Sequence, residues 1–195
     1  SLRRLGNEYA FDILVKDNIE MFRKYGIKKI ITYCPHCFST LKNDYKQYGV
    51  DFEVMHHSQL IHKLLQSGVI KLKNHEDCSI TYHDSCYLGR YNNIYKEPRE
   101  IIARVCAGKS PVEMARHHAE SFCCGAGGGR MWLEENQGSR IYAERTKEAL
   151  KTKASVIGVA CPYCMTMFED GLKDEKAADK VMVKDIAEIV AERLG

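Results

Sequence analysis

The sequence lacks the long apolar runs and the excess of positive charge that would assign it to a membrane or to nucleic acid. No apolar stretch approaches the roughly 18 residues that a membrane-spanning helix needs, and no signal peptide is recognisable. Lys and Arg (29) barely outnumber Asp and Glu (26) and are interspersed with them, so no basic face indicates nucleic acid binding. We therefore expect a cytoplasmic protein that binds no nucleic acid and contacts a membrane only through segments missing from this sequence.

Cysteine is what the sequence has in abundance. There are 9 cysteines in 195 residues, and most of them fall into CxxC or CC groups. Secreted scaffolds instead spread an even number of cysteines along their loops. The grouping indicates a reducing compartment and a role in metal binding or redox chemistry.

The most unusual stretch places two adjacent cysteines, Cys123 and Cys124, directly before four glycines within five residues. In a regular strand the two thiols would point to opposite faces, so a shared site requires an irregular backbone. Glycine permits positive φ and lets main-chain N–H groups approach a bulky anionic group. We therefore expect Gly125, Gly127 and Gly128 to lie against a cofactor.

Two stretches of the chain, residues 6–66 and 138–194, repeat one order of predicted elements. Each reads helix, strand, CPxC, helix, strand and capped helix, with Ser58 and Asp185 as the predicted caps. Alternating strands and helices predict an α/β fold with two related cysteine-rich domains, each a small parallel sheet flanked by helices.

We place the first domain at residues 1–76 and the second at residues 77–195, with the boundary near the charged stretch 73–77. The second copy has Cys86 and the CCG stretch upstream of its CPxC motif, whereas the first copy has nothing corresponding. The first domain is therefore expected to be truncated on its N-terminal side.

Three smaller expectations concern the second domain. Residues 112–115 are a possible strand, Trp132 reads as a core residue, and Cys78 and Cys106 read as small core residues because each lies in an apolar element.

In parallel α/β sheets, the loops that follow the strands gather at one edge, where helix N-termini lower thiol pKa values. Five thiols are predicted to meet there, those of Cys86, Cys123, Cys124, Cys161 and Cys164. A tetrahedral structural zinc takes four ligands, and adjacent cysteines fit poorly around one small ion. An iron–sulfur cluster is larger, so neighbouring thiolates can reach different irons.

These cysteines resemble the motif of a known family. Cys86 and Cys123 are separated by 36 residues, and so are Cys124 and Cys161. This spacing resembles the cysteine-rich "CCG" domain of heterodisulfide reductase catalytic subunits and related iron–sulfur oxidoreductases. Residues 82–91 (YHDSCYLGRY) and 122–132 (FCCGAGGGRMW) look closest to membrane-associated members that are partners of electron-transfer flavoprotein.

The resemblance implies an oxidoreductase that holds a [4Fe-4S] cluster, non-cubane in geometry, on the five cysteines. It further implies electron transfer from a flavoprotein or flavin subunit to a quinone or disulfide acceptor, at the inner face of a membrane. Cys34 and Cys37 match the closing pair of a first motif whose other ligands are absent. Zinc and a second iron–sulfur cluster both remain open there.

Two other functions are compatible with parts of the pattern. The motifs CPHC and CPYC, each between a strand and a helix, also occur in thiol–disulfide oxidoreductases, but those folds need a later cis-proline and no proline follows Pro162. A zinc-stabilised interaction module would use the same two cysteine pairs, yet more than 120 residues separate them.

No catalytic residue is identified from the sequence. His83 is a candidate for orienting a ligand or donating to sulfur, with a satisfied buried histidine as the alternative. Five further histidines are expected to face solvent or a partner instead of binding metal: His36, His56, His57, His117 and His118.

Overall fold

A computed structural model describes residues 2–73, 78–133 and 138–195 of the chain. Small parallel sheets are flanked by helices, which confirms the predicted α/β class. Strands and helices alternate except between the helices Lys96–Val105 and Ile141–Lys151. The N-terminal repeat contains α1 (Glu8–Lys24), β1 (Lys29–Thr32), α2 (Pro35–Asn43), β2 (Glu53–His56) and α3 (His57–Gln66).

The C-terminal part adds a strand and a helix before a second copy of that series. Its elements are β3 (Ile80–Tyr82), α4 (Lys96–Val105), α5 (Ile141–Lys151), β4 (Val156–Val159), α6 (Pro162–Asp174), β5 (Met182–Asp185) and α7 (Ile186–Ala191). Short 3₁₀ turns cover Leu2–Leu5, Asp44–Tyr48, His118–Glu120 and Gly127–Trp132.

All strand pairs are parallel and form two small sheets. β1 pairs with β2 in one sheet, and β4 lies between β3 and β5 in the other. The series from α1 to α3 therefore matches the series from α5 to α7 in order and in strand pairing. Within the described ranges, only the second sheet has a third strand. This strand is β3, which pairs with β4 on the side opposite β5.

The helices form where the sequence offers an apolar stripe and a cap. In α1, Phe11, Val15 and Ile19 recur every four residues and bury one face of the helix. The side chain of Asn7 accepts a hydrogen bond from the Ala10 amide at 3.0 Å and so satisfies one N-terminal donor. In both repeats the helix after the CPxC cysteine starts with proline, which suits a first-turn position.

One apolar core joins the two repeats. Phe38 of α2 and Leu65 of α3 belong to the same buried cluster as Tyr82, Ile101 and Ile186. Helix α3 packs against both α4 and α7. The predicted boundary stretch reaches residues 74–77, which lie outside the described residues, so the division into 1–76 and 77–195 stays a prediction.

Cys78 and Cys106 form a disulfide, and are not the separate core thiols that the sequence indicated. They lie 28 residues apart, just before β3 and at the C-terminal end of α4. The packing of α4 brings their Cα atoms to within 5.3 Å of one another. The apolar periodicity of each element does not indicate this contact, because it describes one element at a time.

Three other local expectations were wrong. The helix α3 is capped by His56, whose ring accepts from the Ser58 amide, because the chain turns into the helix two residues before the serine. The segment at 112–115 makes a single parallel bridge, from Val112 to Thr81, where a strand was expected. Trp132 is 75% exposed.

None of the helices in the described ranges combines the length and apolar character needed to cross a membrane.

Candidate metal centre

The sheet containing β3 and β4 delivers two cysteine segments to the same edge. β3 ends at Tyr82 and leads within four residues to Cys86, and β4 ends at Val159 just before Cys161. Because the two strands are parallel neighbours, both segments emerge at their carboxyl ends. Cys161 is the N-cap residue of α6, so its thiol lies at the positive end of a helix.

The five predicted thiols lie together in one continuous series. Hydrogen-bonding contacts join Cys86 to Cys123, Cys123 to Cys124, Cys124 to Cys164, and Cys164 to Cys161. The thiols of Cys124, Cys161 and Cys164 are buried, whereas Cys86 and Cys123 are partly exposed. The series therefore has a closed inner end and a more open outer end.

Hydrogen bonds between neighbouring thiols lower the pKa values of two of the five cysteines and raise those of the other three. Hydrogen bonds from the Cys124 and Cys86 thiols lower the pKa of Cys123 to about 2, and the hydrogen bond from Cys164 lowers that of Cys161 to about 6. The bond to ionised Cys123 in turn raises the pKa of Cys124 to about 12 and also raises that of Cys86. Hydrogen bonds with Cys124 and Cys161 raise the pKa of Cys164. Cys123 and Cys161 are thus the thiolates of the series, whereas Cys86, Cys124 and Cys164 keep their protons.

Main-chain N–H groups from the glycine segment point at the sulfurs. The Gly125 amide donates to Cys123 Sγ at 3.3 Å, and the Ala126 amide donates to the Cys124 sulfur. Gly125 has φ +91°, and a Cβ there would lie 3.1 Å from the Cβ of Ile141. This position therefore requires glycine for both its backbone conformation and its space.

The remaining glycines of the segment lie farther along. Gly127 begins the turn Gly127–Trp132, and Gly128 has φ +67° within it. Both line a narrow cleft together with Tyr87 and Tyr163.

His83 is buried within the sulfur group. One of its ring nitrogens, Cys124 Sγ and Cys164 Sγ lie within 4.8 Å of one another. Burial, followed by the nearby Arg145 charge, lowers the pKa of His83 to about 3, so the ring is neutral. Arg145 Nε donates to His83 Nδ1 at 3.2 Å, which leaves the ring proton on Nε2.

Arg145 is a supporting residue that the sequence analysis missed. Its side chain is 0% exposed and also donates to the Arg116 carbonyl at 2.9 Å and to Ser121 Oγ at 3.1 Å. An ion pair with Glu148 at 2.9 Å balances its charge. Arginine in the middle of an amphipathic helix gives no sequence signal of burial, because most such residues face solvent.

The cysteine pair of the first repeat lies beside this group. Cys34 is the N-cap of α2, as Cys161 is of α6, and the Cys37 thiol lowers the pKa of Cys34 to about 4 while its own pKa is raised. The His36 side chain hydrogen-bonds with the sulfurs of both Cys34 and Cys161. Burial opposes its charge, but the two sulfurs outweigh this and raise the pKa of His36 to about 9.

Not all the histidines expected at the surface are there. His56 is 0% exposed and His57 is 9% exposed, because both lie where β2 enters α3 under the neighbouring repeat. His117 is exposed, in line with the expectation, and His118 is half-buried.

The donor set suits an iron–sulfur cluster better than a single metal ion. Five thiols from three separate chain segments exceed the four ligands of a tetrahedral zinc, and two of them are adjacent in sequence. Amide N–H groups directed at sulfur are the interactions that stabilise thiolate charge around such clusters.

Comparison with known proteins supports this assignment. The sequence profile of a family described as "Cysteine-rich domain" (CCG) matches residues 2–42 and 80–169. The chain is 45% identical over 190 residues to "Probable iron-sulfur-binding oxidoreductase FadF" of Bacillus subtilis, covering 97% of this chain and 27% of that protein. It is 43% identical over 197 residues to "EtfAB:quinone oxidoreductase" of Syntrophomonas wolfei, with coverage of 97% and 27%.

A third relative is less similar in sequence. The chain is 35% identical over 201 residues to a subunit of the "Dihydromethanophenazine:CoB--CoM heterodisulfide reductase" of Methanosarcina barkeri, covering 100% of this chain and 48% of that protein. The chain thus spans about a quarter of the first two relatives and about half of the third.

Proposed function

Because the chain belongs to the cysteine-rich (CCG) domain family, we propose that it is the cluster-binding part of an iron–sulfur oxidoreductase. The single observation that carries the proposal is the continuous series of five cysteine sulfurs, from Cys86 to Cys161, assembled from three loops at one sheet edge. The relatives named as iron–sulfur and quinone oxidoreductases support the same chemistry.

The cluster would be held by five thiolates: Cys86, Cys123, Cys124, Cys161 and Cys164. We propose a [4Fe-4S] cluster of non-cubane geometry, because adjacent cysteines and a fifth ligand exceed what a regular four-ligand site uses. When bound, such a cluster supplies one-electron transfer at a potential set by hydrogen bonding and burial.

The surrounding residues of this chain would set that potential. The Gly125 and Ala126 amides donate toward sulfur, and neutral His83 keeps a proton on Nε2 with which it can donate as well. Gly127 and Gly128 line the adjoining cleft and leave it open, because no atom of the described residues beyond their chain neighbours lies within 4 Å of where their Cβ atoms would be. Buried Val159 and Ala160 exclude water from the inner side, which strengthens each of these interactions.

The first-repeat pair, Cys34 and Cys37, is proposed as part of a second metal site, with zinc and a second iron–sulfur cluster both compatible with two thiols. Its contact with the first site through His36 supports a role in the same electron path.

Thiol–disulfide exchange fits the structure less well. Exchange requires an attacking thiolate that a substrate disulfide can reach. Both low-pKa cysteines of the CPxC motifs are buried, with Cys161 0% exposed and Cys34 8% exposed. A zinc-stabilised interaction module would leave at least one of the five thiols without a role.

The partners are proposed on the same basis. A flavoprotein would supply electrons, and a quinone or a disulfide would accept them, in line with the names of the second and third relatives. The partly exposed Cys86 and Cys123 mark the side from which a partner could approach. A quinone acceptor would place the protein in the cytoplasm, at the inner face of a membrane.

Metal analysis of anaerobically purified protein tests the proposal. We expect brown protein with iron and acid-labile sulfide that dithionite bleaches, and Cys124→Ser and Cys164→Ser should lose most of the iron. The matched control is the double variant Cys78→Ser/Cys106→Ser, which removes two cysteines outside the thiol series and should keep its iron. Colourless protein carrying stoichiometric zinc, or full iron in Cys124→Ser, would refute the cluster assignment.

A second measurement separates catalysis from simple electron relay. If the cluster reacts with the acceptor, adding a disulfide or a quinone analogue should change its EPR signal. An unchanged signal would assign the cluster to electron relay.

A further inference from the structure

A second group of metal-ligating side chains lies outside the thiol series. It consists of Glu113, His117 and His118, on the segment between α4 and the CCG cysteines. One ligand atom from each of the three residues lies within 4.8 Å of the other two. No cysteine contributes to this group, and it is independent of the proposed cluster.

The two imidazoles face each other in an arrangement that suits a shared cation. His117 Nδ1 lies 2.7 Å from His118 Nδ1. In neutral rings each nitrogen is either a donor or an acceptor, so the rings can share one proton or turn both lone pairs toward one metal ion. Neutral imidazole is the commonest protein ligand for Zn²⁺ and similar ions.

The carboxylate of the group is already oriented by a neighbouring arginine. Arg99 Nε donates to Glu113 Oε1 at 2.7 Å, and Arg99 Nη2 donates to Glu113 Oε2 at 3.0 Å. Each carboxylate oxygen has a further lone pair, so the arginine fixes the group without using all of its acceptor capacity. Metal-binding carboxylates commonly have such a supporting hydrogen bond.

The local charge also favours a cation. Arg99 hydrogen-bonds Asp84 as well as Glu113, so one guanidinium is shared by two carboxylates. The one positive charge of Arg99 offsets only one of these two carboxylates, so one negative charge remains beside the two imidazoles.

The backbone at His118 holds an uncommon conformation that keeps its ring in place. Its φ is +53°, in the left-handed region that only a few per cent of non-glycine residues adopt, with histidine, asparagine and aspartate the most frequent among them. The His118 amide donates to Asp84 Oδ2 at 2.7 Å, and the ring packs against Tyr95. Strain of this kind persists where surrounding contacts maintain it, and it is often found at ligand sites.

The geometry points to a binding site for a borderline divalent cation of the Zn²⁺ class, with Glu113, His117 and His118 as ligands. Two imidazole nitrogens and one carboxylate oxygen form a set that Zn²⁺ accepts, with a fourth position left for water. Bound metal would fasten the turn His118–Glu120, which leads directly to Ser121 and the CCG cysteines. Ser121 Oγ donates to the Asp84 carbonyl at 3.1 Å and so ties the same turn to the segment that carries Cys86.

Zinc uptake by the anaerobically purified, iron-loaded Cys34→Ser/Cys37→Ser variant tests the site, because this variant cannot hold zinc on the first-repeat cysteine pair. After zinc is added and unbound metal is removed, we expect one zinc per chain beyond the iron. X-ray absorption at the zinc edge should show only nitrogen and oxygen neighbours, at about 2.0–2.2 Å, and no sulfur at about 2.3 Å. The absence of sulfur distinguishes this site from zinc captured by cysteines.

His117→Gln is the first variant, because the exposed side chain can be replaced with little risk to folding. Loss of a residue that only supports a metal ligand weakens metal binding roughly 10- to 100-fold. Loss of the ligand His117 should therefore weaken zinc binding by at least that factor and leave the iron content unchanged. Glu113→Gln should act in the same direction. The matched control is His62→Gln, since His62 pairs with Glu100 elsewhere and its loss should leave zinc binding unaltered.

Three results would overturn the assignment: no zinc taken up, zinc with sulfur neighbours only, or nitrogen- and oxygen-bound zinc that survives both His117→Gln and Glu113→Gln. If the chain takes up no iron, the cluster proposal fails by itself. The zinc shell and its dependence on His117 would still decide this site.

Discussion

His57 Nε2 lies 2.8 Å from Asp185 Oδ1, and this contact joins the equivalent strand-to-helix junctions of the two repeats. His57 begins α3 directly after β2, and Asp185 ends β5 directly before α7. The same Asp185 oxygen accepts from the Ala187 amide at 2.8 Å, so one carboxylate caps a helix and also holds the neighbouring repeat.

Asp185→Ala should therefore destabilise the chain by about 2 kcal/mol, because it removes a helix cap and a largely buried hydrogen bond together. Asp185→Asn keeps an oxygen acceptor at the same place and should cost much less. Urea unfolding of both variants checks this, and equal losses for the two would show that charge, not acceptor geometry, matters at the junction.

Gly125→Ala should disturb the metal centre, whereas Gly127→Ala should not. Alanine at position 125 must adopt φ +91°, which costs at least roughly 1–2 kcal/mol for a left-handed residue. Its Cβ would also contact Ile141 and shift the amide of residue 125 away from Cys123 Sγ. A Cβ at Gly127 meets nothing within 4 Å. Iron content and unfolding midpoints should fall only in the first variant. Comparable effects in both would contradict the role given to the Gly125 amide.

Arg145→Met should destabilise the chain by about 2 kcal/mol or more, since it leaves His83 Nδ1 and Ser121 Oγ without this buried donor, although Glu148 keeps its ion pair with Arg116. Arg104, an exposed arginine on α4, provides the control, and Arg104→Met should change the free energy of unfolding by no more than about 0.5 kcal/mol. Denaturant titrations measure both. A small loss in Arg145→Met would mean that the buried charge is easily replaced by apolar packing.

His56 should make stability fall as the pH is lowered. Burial depresses the pKa of this ring from 6.5 to about 3, so between these values the unfolded chain binds a proton that the folded chain does not. Stability is therefore lost from pH 6.5 downward, by up to about 1.4 kcal/mol per pH unit for this one group.

His56→Asn separates titration from capping, because asparagine is a good N-cap residue that does not titrate in this range. The variant should show a shallower loss of stability between pH 6.5 and pH 5, measured by urea unfolding at each pH. An unchanged slope would assign the acid sensitivity to other groups.

Much of the thiol site was predictable because it follows from strand direction. Once Cys86 and Cys161 were seen to follow parallel strands, their meeting at one edge was a consequence of topology. The cap at Asp185 was likewise visible, since aspartate before an apolar helix is a local signal.

What the sequence could not show depends on contacts between distant elements. The burial of Arg145 results from groups on three other segments, and the approach of Cys78 to Cys106 results from how α4 packs on the sheet. His56 replaced the expected Ser58 as cap because β2 ends at His56 and α3 begins directly at His57. None of these relationships is local in sequence.

The apolar cluster that includes Phe38, Leu65 and Ile186 links the fates of the two repeats. If one repeat unfolded alone, apolar side chains of the other repeat would become exposed to water. Heat or urea should thus unfold both repeats in one all-or-none transition. The proposed metal centre would then be lost at the same midpoint as the helices of the N-terminal repeat, although that repeat contributes none of the five thiols.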